Sequence, residues 1–213
     1  MSWFLDHTDD VLSYGLQHIY LAGLPLLLGL VISLPIGWLA RRYRLLYPPL
    51  IAGSGLLFTI PSLALFILLP GILGRSILDP VNVIVAMTIY TVALLVRTVA
   101  DGLGAVPDDV NQAATAMGYT RVSRFFRVEL PLAVPVISAG LRVAAVSNVS
   151  IVSVASLIGV SQLGLFLTDG YARSFGTELV VGIVSCIVLA LLFDLVIQLA
   201  TRLLTPWQRV AAA

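Results

Sequence analysis

Five apolar runs, at about residues 16–40, 50–73, 81–100, 135–159 and 179–199, dominate this chain, and each approaches the ~20 residues that an α-helix needs to cross a bilayer. With 59% of its 213 residues hydrophobic, 11% charged and a mean hydropathy of +1.04, the chain lies far from the composition of a soluble domain. The expected fold is therefore an all-α integral membrane protein of about five transmembrane helices, forming a single domain over residues 1–213. The second run differs from the rest, because Gly53, Gly55, Pro61 and Pro70 interrupt it. Freed backbone groups survive in a membrane only where protein or a watery cavity satisfies them, so this run is expected in the bundle interior.

All twelve basic residues are arginines, and their placement sets an orientation. Arg41, Arg42, Arg44, Arg121, Arg124, Arg127, Arg202 and Arg209 fall on one side of the alternating spans, against Arg75 and Arg173 on the other. The first side is expected in the cytoplasm, with the N-terminus outside and the C-terminus inside. Trp38 and Trp207 then lie near the inner interface and Trp3 near the outer one. Residues 1–15 lack the basic start and compact apolar core of a cleavable signal and are expected to be retained. A net charge of +1 offers no field for nucleic acid. The lone Cys186 forms no intrachain disulfide, His7 and His18 make no metal site, and no catalytic set is evident.

One polar segment, about 101–132, breaks the pattern on the cytoplasmic side. Pro107-Asp108-Asp109 starts a helix, with carboxylates at its positive dipole end. Ala113, Ala114, Ala116 and Met117 give that helix a small, smooth face, and Gly118 ends it or admits a close neighbour. A second helical run over 120–129 carries Arg121, Arg124 and Arg127, and Leu130-Pro131 is expected to stop it. Such a small-faced helix suits a groove on a cytosolic partner; lying flat on lipid is the other reading.

At these residues the chain resembles permease subunits of bacterial ABC importers, whose coupling segment reads Glu-Ala-Ala, three residues, Gly, nine residues, Ile-x-Leu-Pro. Here it reads Gln112-Ala113-Ala114, Gly118, Val128-Glu129-Leu130-Pro131, with the spacing kept. Gln112 replaces the usual Glu and removes a charge, while Val128 for Ile is a trivial change. The stretches from Thr59-Ile60-Pro61-Ser62 through Val96-Arg97-Thr98, Gly140-Leu141-Arg142 and Leu157-Ile158-Gly159 look like the osmoprotectant class, which imports glycine betaine, choline, carnitine or proline betaine. The resemblance implies a bacterial cytoplasmic membrane location and a second permease subunit, identical or paralogous. It also implies two copies of an ABC ATPase and an extracytoplasmic substrate-binding protein. ATP and Mg would sit on the ATPase, since this chain has no phosphate-binding loop. Ala113, Ala114 and Gly118 would form the seat, with Gln112 and Arg121 as polar contacts and Leu130 and Pro131 closing the motif.

Small residues crowd the fourth span, which suits close helix packing or a polar solute path. Ser147, Asn148 and Ser150, with Thr59 and Ser62 flanking Pro61, are the candidates for that path. A quaternary ammonium offers no conventional hydrogen bond, so aromatic faces suit it, and Phe58 and Tyr90 are either such faces or plain packing. Arg97, Arg142 and Asp194 are the ionisable groups set in spans. The arginines either snorkel to the interface or one of them pairs with Asp194 to tie the fifth helix to a gate. No G-x-S-x-G or H-E-x-x-H occurs, which disfavours an intramembrane hydrolase. An ATP-independent channel or secondary transporter, an importer for another solute such as an amino acid, and a non-transport scaffold remain the rival readings.

Overall fold

The structure, a computed structural model, describes Trp3 and residues 6–207. Its helices are α1 (Thr8–Arg42), α2 (Tyr47–Thr59), α3 (Ser62–Leu73), α4 (Pro80–Gly104), α5 (Asp108–Ala116), α6 (Arg121–Arg124), α7 (Leu130–Ser153), α8 (Leu165–Ala172) and α9 (Gly176–Leu204). Among the described residues, four helical stretches are long and apolar enough to cross a membrane, and α2 with α3 makes a fifth if a pair bent by 97° counts as one span. The expected all-α membrane fold is the one observed; α8 was not anticipated.

Local chemistry explains the ends. Asp9 and Asp10 lie in the first turn of α1 and Arg41 and Arg42 in its last, each complementing the helix dipole. Asp79 caps α4 by accepting from the Val81 N–H at 2.9 Å, and that bond, with Arg75 at 2.7 Å, holds its carboxyl below the ordinary carboxylate range. The arginine-rich ends gather together: the Tyr47 hydroxyl donates to Asp101 Oδ1 at 2.8 Å, and Trp38 stacks edge-on with Phe125 at 6.1 Å. At the opposite end Trp3 packs against Phe166 and Phe175.

The core is built where α1, α4 and α7 cross. Gly29, Ser33 and Gly37 repeat every four residues along one face of α1, and all three are buried. A Cβ on Gly29 would collide with Thr91, and one on Gly37 would lie 2.6 Å from Val99 Cγ1 and 3.0 Å from the Ala100 nitrogen. Such small-residue stripes let helix backbones approach in lipid, where no hydrophobic drive separates helix from tail. Gly140 of α7 meets Thr98 of α4 in the same way, and Ala144 and Ala145 are buried beside it. Much of the small face of the fourth span is thus packing.

Two expectations are corrected. The second span does not lie in the interior of this chain's bundle: most of α2 and α3 is exposed, with Ser54, Phe66, Leu69 and Pro70 as its buried residues. Burial is unnecessary because the Ile60 carbonyl, left free at the Pro61 break, accepts a hydrogen bond from the Tyr90 hydroxyl of α4. Nor does Leu130-Pro131 stop a helix. A π-helical turn over Phe125–Glu129, in which the Leu130 N–H reaches the Phe125 carbonyl, changes the register where proline has no N–H to give, and the helix runs on to Ile158.

Gly37→Leu is expected to push α1 off α4 and lower the thermal midpoint in detergent by several degrees, an overpacking cost of about 1–3 kcal/mol. Gly15→Leu, where a Cβ meets nothing within 4 Å, serves as the control and leaves the midpoint unchanged or raised. Equal midpoints for the two variants would contradict this packing.

Candidate functional site

The nine residues of α5 hang below the arginine-rich end of the bundle. Asp108 and Asp109 occupy its first turn, and its C-terminus closes with paired bonds from the Gly118 N–H to the Thr115 carbonyl (3.0 Å) and from the Tyr119 N–H to the Ala114 carbonyl (3.2 Å). This closure requires Gly118 at φ +85°, a left-handed conformation that favours glycine. Gly118 is exposed with open space around it, so within this chain its role is to end the helix.

Of the expected seat, Ala114 is 1% exposed and faces its own chain, whereas Gln112, Ala113, Ala116 and Met117, the last 70% exposed, look outward. Ala114 must be small to press α5 against the bundle, and Ala113 carries the outward small face. Arg121 is exposed beyond the turn, while Leu130 and Pro131 are half-buried in the first turn of α7.

Arg124 braces the assembly. Its Nη1 donates to Thr115 Oγ1 at 2.8 Å and its Nε to Glu129 Oε1 at 2.7 Å, linking α5 to the π-helical turn and so to the base of α7. Sequence reasoning placed Arg124 among surface charges and missed this role. The motif's own Glu129, five residues away from Arg124, was the available signal.

The second feature is the broken span. Thirteen residues of α2 at 1.5 Å each carry the chain ~20 Å from the arginine-rich end, so the break lies near mid-membrane. Thr59 and Pro61 are exposed there and Ser62 is half-buried; Thr59 Oγ1 donates back to the Leu56 carbonyl at 2.7 Å. Phe58 is 39% exposed and meets Tyr90 edge to face, 5.8 Å between centroids. Tyr90 itself is 2% exposed, so it supports the break instead of lining a path.

Asn148 also departs from expectation. It is buried, and its Nδ2 donates to Thr91 Oγ1 at 2.9 Å and to the Ala22 carbonyl at 3.2 Å, joining α7 to α4 and α1. One turn away His18 Nε2 donates to the Val149 carbonyl at 3.0 Å. These are bridges between helices, made because a buried amide in an apolar bundle must find partners. Ser147 is half-buried and Ser150 exposed, and both remain available to a path.

The span charges divide cleanly. Arg142 of α7 grips Asp194 of α9 through two hydrogen bonds, Nε to Oδ1 at 2.5 Å and Nη2 to Oδ2 at 2.9 Å. Asp194 lies ten residues from the end of α9 and so ~15 Å inside it, too deep for snorkelling to explain the pair. Arg97 is mostly exposed and approaches Asp101 at 3.5 Å, so it takes no part in that link.

Comparison with known proteins places these features. The family model described as binding-protein-dependent transport system inner membrane component matches residues 25–210. The osmoprotectant import permease protein OsmW of Salmonella typhimurium is 32% identical over 207 residues, covering 96% of each chain. The glycine betaine/carnitine/choline transport system permease protein OpuCD of Bacillus subtilis is 29% identical over 206 residues, covering 96% of this chain and 89% of that one. Among solved structures, an inward-facing MetNI methionine ABC transporter superposes with a TM-score of 0.81 at 20% identity, covering 94% of this chain and 98% of the other, and shares the fold. The chain belongs to the binding-protein-dependent transport system inner-membrane family: it is a multi-pass permease subunit of an ABC importer, with ATP hydrolysis left to a separate subunit.

Proposed function

We propose that this permease imports small quaternary-ammonium osmoprotectants such as glycine betaine, choline, carnitine or proline betaine. The observation that carries the reading is the end-to-end similarity to an osmoprotectant import permease, 32% identical over 96% of both chains. In the working assembly two permease subunits, identical or paralogous, pair with two ATPase subunits in the cytosol and one binding protein outside. The N-terminus is outside and the C-terminus inside.

The outward face of α5, with Ala113 at its centre and Gln112 and Ala116 around it, seats the ATPase. Closure of the ATPase pair on ATP and Mg carries α5 inward. Arg124 hands that displacement to the π-helical turn and α7, and the Arg142–Asp194 pair hands it on to α9. Two arrangements of the bundle, biased by ATP's preference for one of them, give alternating access.

The exposed faces of α2 and α3 line the path where two permeases meet. Phe58, Thr59, Pro61 and Ser62 stand at its middle, with Ser147 and Ser150 contributed by α7. A trimethylammonium group is drawn to an aromatic face, and Phe58 offers one. Trimethylamine N-oxide is a second reading: the transport system permease TmoV of Ruegeria pomeroyi, named for that solute, is 33% identical over 173 residues, covering 80% of this chain and 26% of that protein.

In proteoliposomes, uptake of labelled glycine betaine or choline is expected only with ATPase, binding protein and ATP together. Uptake by the permease alone would establish an ATP-independent carrier instead.

Ala113→Arg is expected to leave the chain folded and inserted while cutting ATPase retention and uptake at least about tenfold, the loss of roughly 1.4 kcal/mol of contact. Ala114→Arg, which forces a charge into a closed contact, is expected to lower the thermal midpoint as well. Undiminished ATPase retention in Ala113→Arg would remove α5 from the docking role.

Phe58→Ala is expected to raise the half-saturating concentration for choline about two- to thirtyfold, matching a cation–π contact of about 0.5–2 kcal/mol. Unchanged saturation for every betaine tested would remove Phe58 from the path.

A further inference from the structure

A cleft of about 290 Å³ opens between the end of α1, the last turn of α4 and the inner side of α5. Its walls carry two kinds of chemistry. Arg41, Arg42 and Arg121 form a cationic side, and none of the three has an ion-pair partner among the described residues. Arg124 also reaches the cleft, but Glu129 already matches its charge at 2.7 Å. Facing them, Asp108 and Asn111 supply acceptors, and Asn111 Oδ1 is buried without a hydrogen-bond partner. A buried acceptor left open is unfavourable unless something donates to it.

Aromatic rings hold one member of the cationic side. The Arg42 guanidinium lies 5.5 Å from the Trp38 ring centroid and 5.2 Å from that of Tyr43. Arg42, by hydrogen bond and charge, and then Arg121 hold the Tyr43 hydroxyl below the ordinary tyrosine range, so both guanidiniums act on one spot. Trp38, the interfacial aromatic, lines the same cleft. The site therefore sits where a transmembrane helix leaves the bilayer, at headgroup level.

We infer that this cleft binds the headgroup of an anionic glycerophospholipid, with phosphatidylglycerol the best match. Its phosphate meets Arg41, Arg42 and Arg121, and its glycerol hydroxyls donate to Asn111 Oδ1 and Asp108. Basic pockets between helix ends on one membrane face are suited to such headgroups. Because the cleft spans α1, α4 and α5, a bound headgroup braces the coupling helix against the bundle, making the lipid a structural part of the seat. The inference relies on the arginine-rich end lying at a bilayer surface, and it does not depend on which solute crosses.

Native mass spectrometry of the full chain in detergent, offered phosphatidylglycerol and phosphatidylcholine together, tests it without reference to transport. Phosphatidylglycerol is expected to be retained at least about tenfold in preference, because only its headgroup brings a net negative charge to the arginines. Arg41→Gln with Arg42→Gln is expected to abolish the preference, Arg42→Lys to keep most of it, and Arg44→Gln, outside this cleft, to leave it intact. Asn111→Ala is expected to erase any preference for phosphatidylglycerol over phosphatidic acid while phosphate-dependent binding persists. Equal retention of phosphatidylcholine would overturn the inference. So would an equal loss in Arg44→Gln, which would mark a diffuse surface attraction, or displacement by millimolar inorganic phosphate, which would mark a free-anion site.

Discussion

Close approach of α1 to α4 is the contact on which this fold depends. In lipid, apolar side chains gain nothing by leaving one hydrocarbon for another, so packing contacts and hydrogen bonds must hold helices together. Gly29, Ser33 and Gly37 supply the packing against Thr91, Val99 and Ala100. Asn148 supplies the hydrogen bonds, reaching both α4 and α1 from α7. Three helices are thereby locked into one frame, and the remaining elements hang from it.

What hangs from the frame is positioned to move. α5 follows the end of α4 after a short link and is braced by Arg124 to the base of α7, so a push on α5 reaches a helix that crosses the membrane. An ion pair set within the spans ties α7 to α9, and a charge placed there is costly without its partner. By contrast α2 and α3 touch the frame along one side and leave a broad apolar face uncovered. The Tyr90 bond to Ile60 lets that span bend without an unsatisfied carbonyl, which suits a surface shared with a second subunit across a solute path.

The spans were legible because a bilayer imposes one length on every crossing, and the coupling segment was legible because its polar residues had no place in lipid. The finer errors share a cause. Sequence period shows that Ala113 and Ala114 lie on different faces of a helix, but not which face meets the chain's own bundle. Proline at 131 signals a stop only in an α-helical register, and the π-helical turn changes that register. Asn148 was read as solute-facing because it is polar, and Tyr90 as either an aromatic face for the solute or plain packing, yet their partners are the Ala22 and Ile60 carbonyls and the Thr91 hydroxyl, which only the fold brings near. Arg142 and Asp194 were visible as two charges with nowhere to go, and pairing them needed only the question of which arginine lay deep enough.

The central claim is that α5 faces the compartment holding ATP and is covered there by a separate motor. The most direct measurement is labelling of Ala113→Cys, in a Cys186→Ser background, with a membrane-impermeant maleimide. The account predicts no labelling in intact cells, full labelling in inverted vesicles stripped of the ATPase, and protection once the ATPase is restored. Labelling from outside intact cells would contradict it.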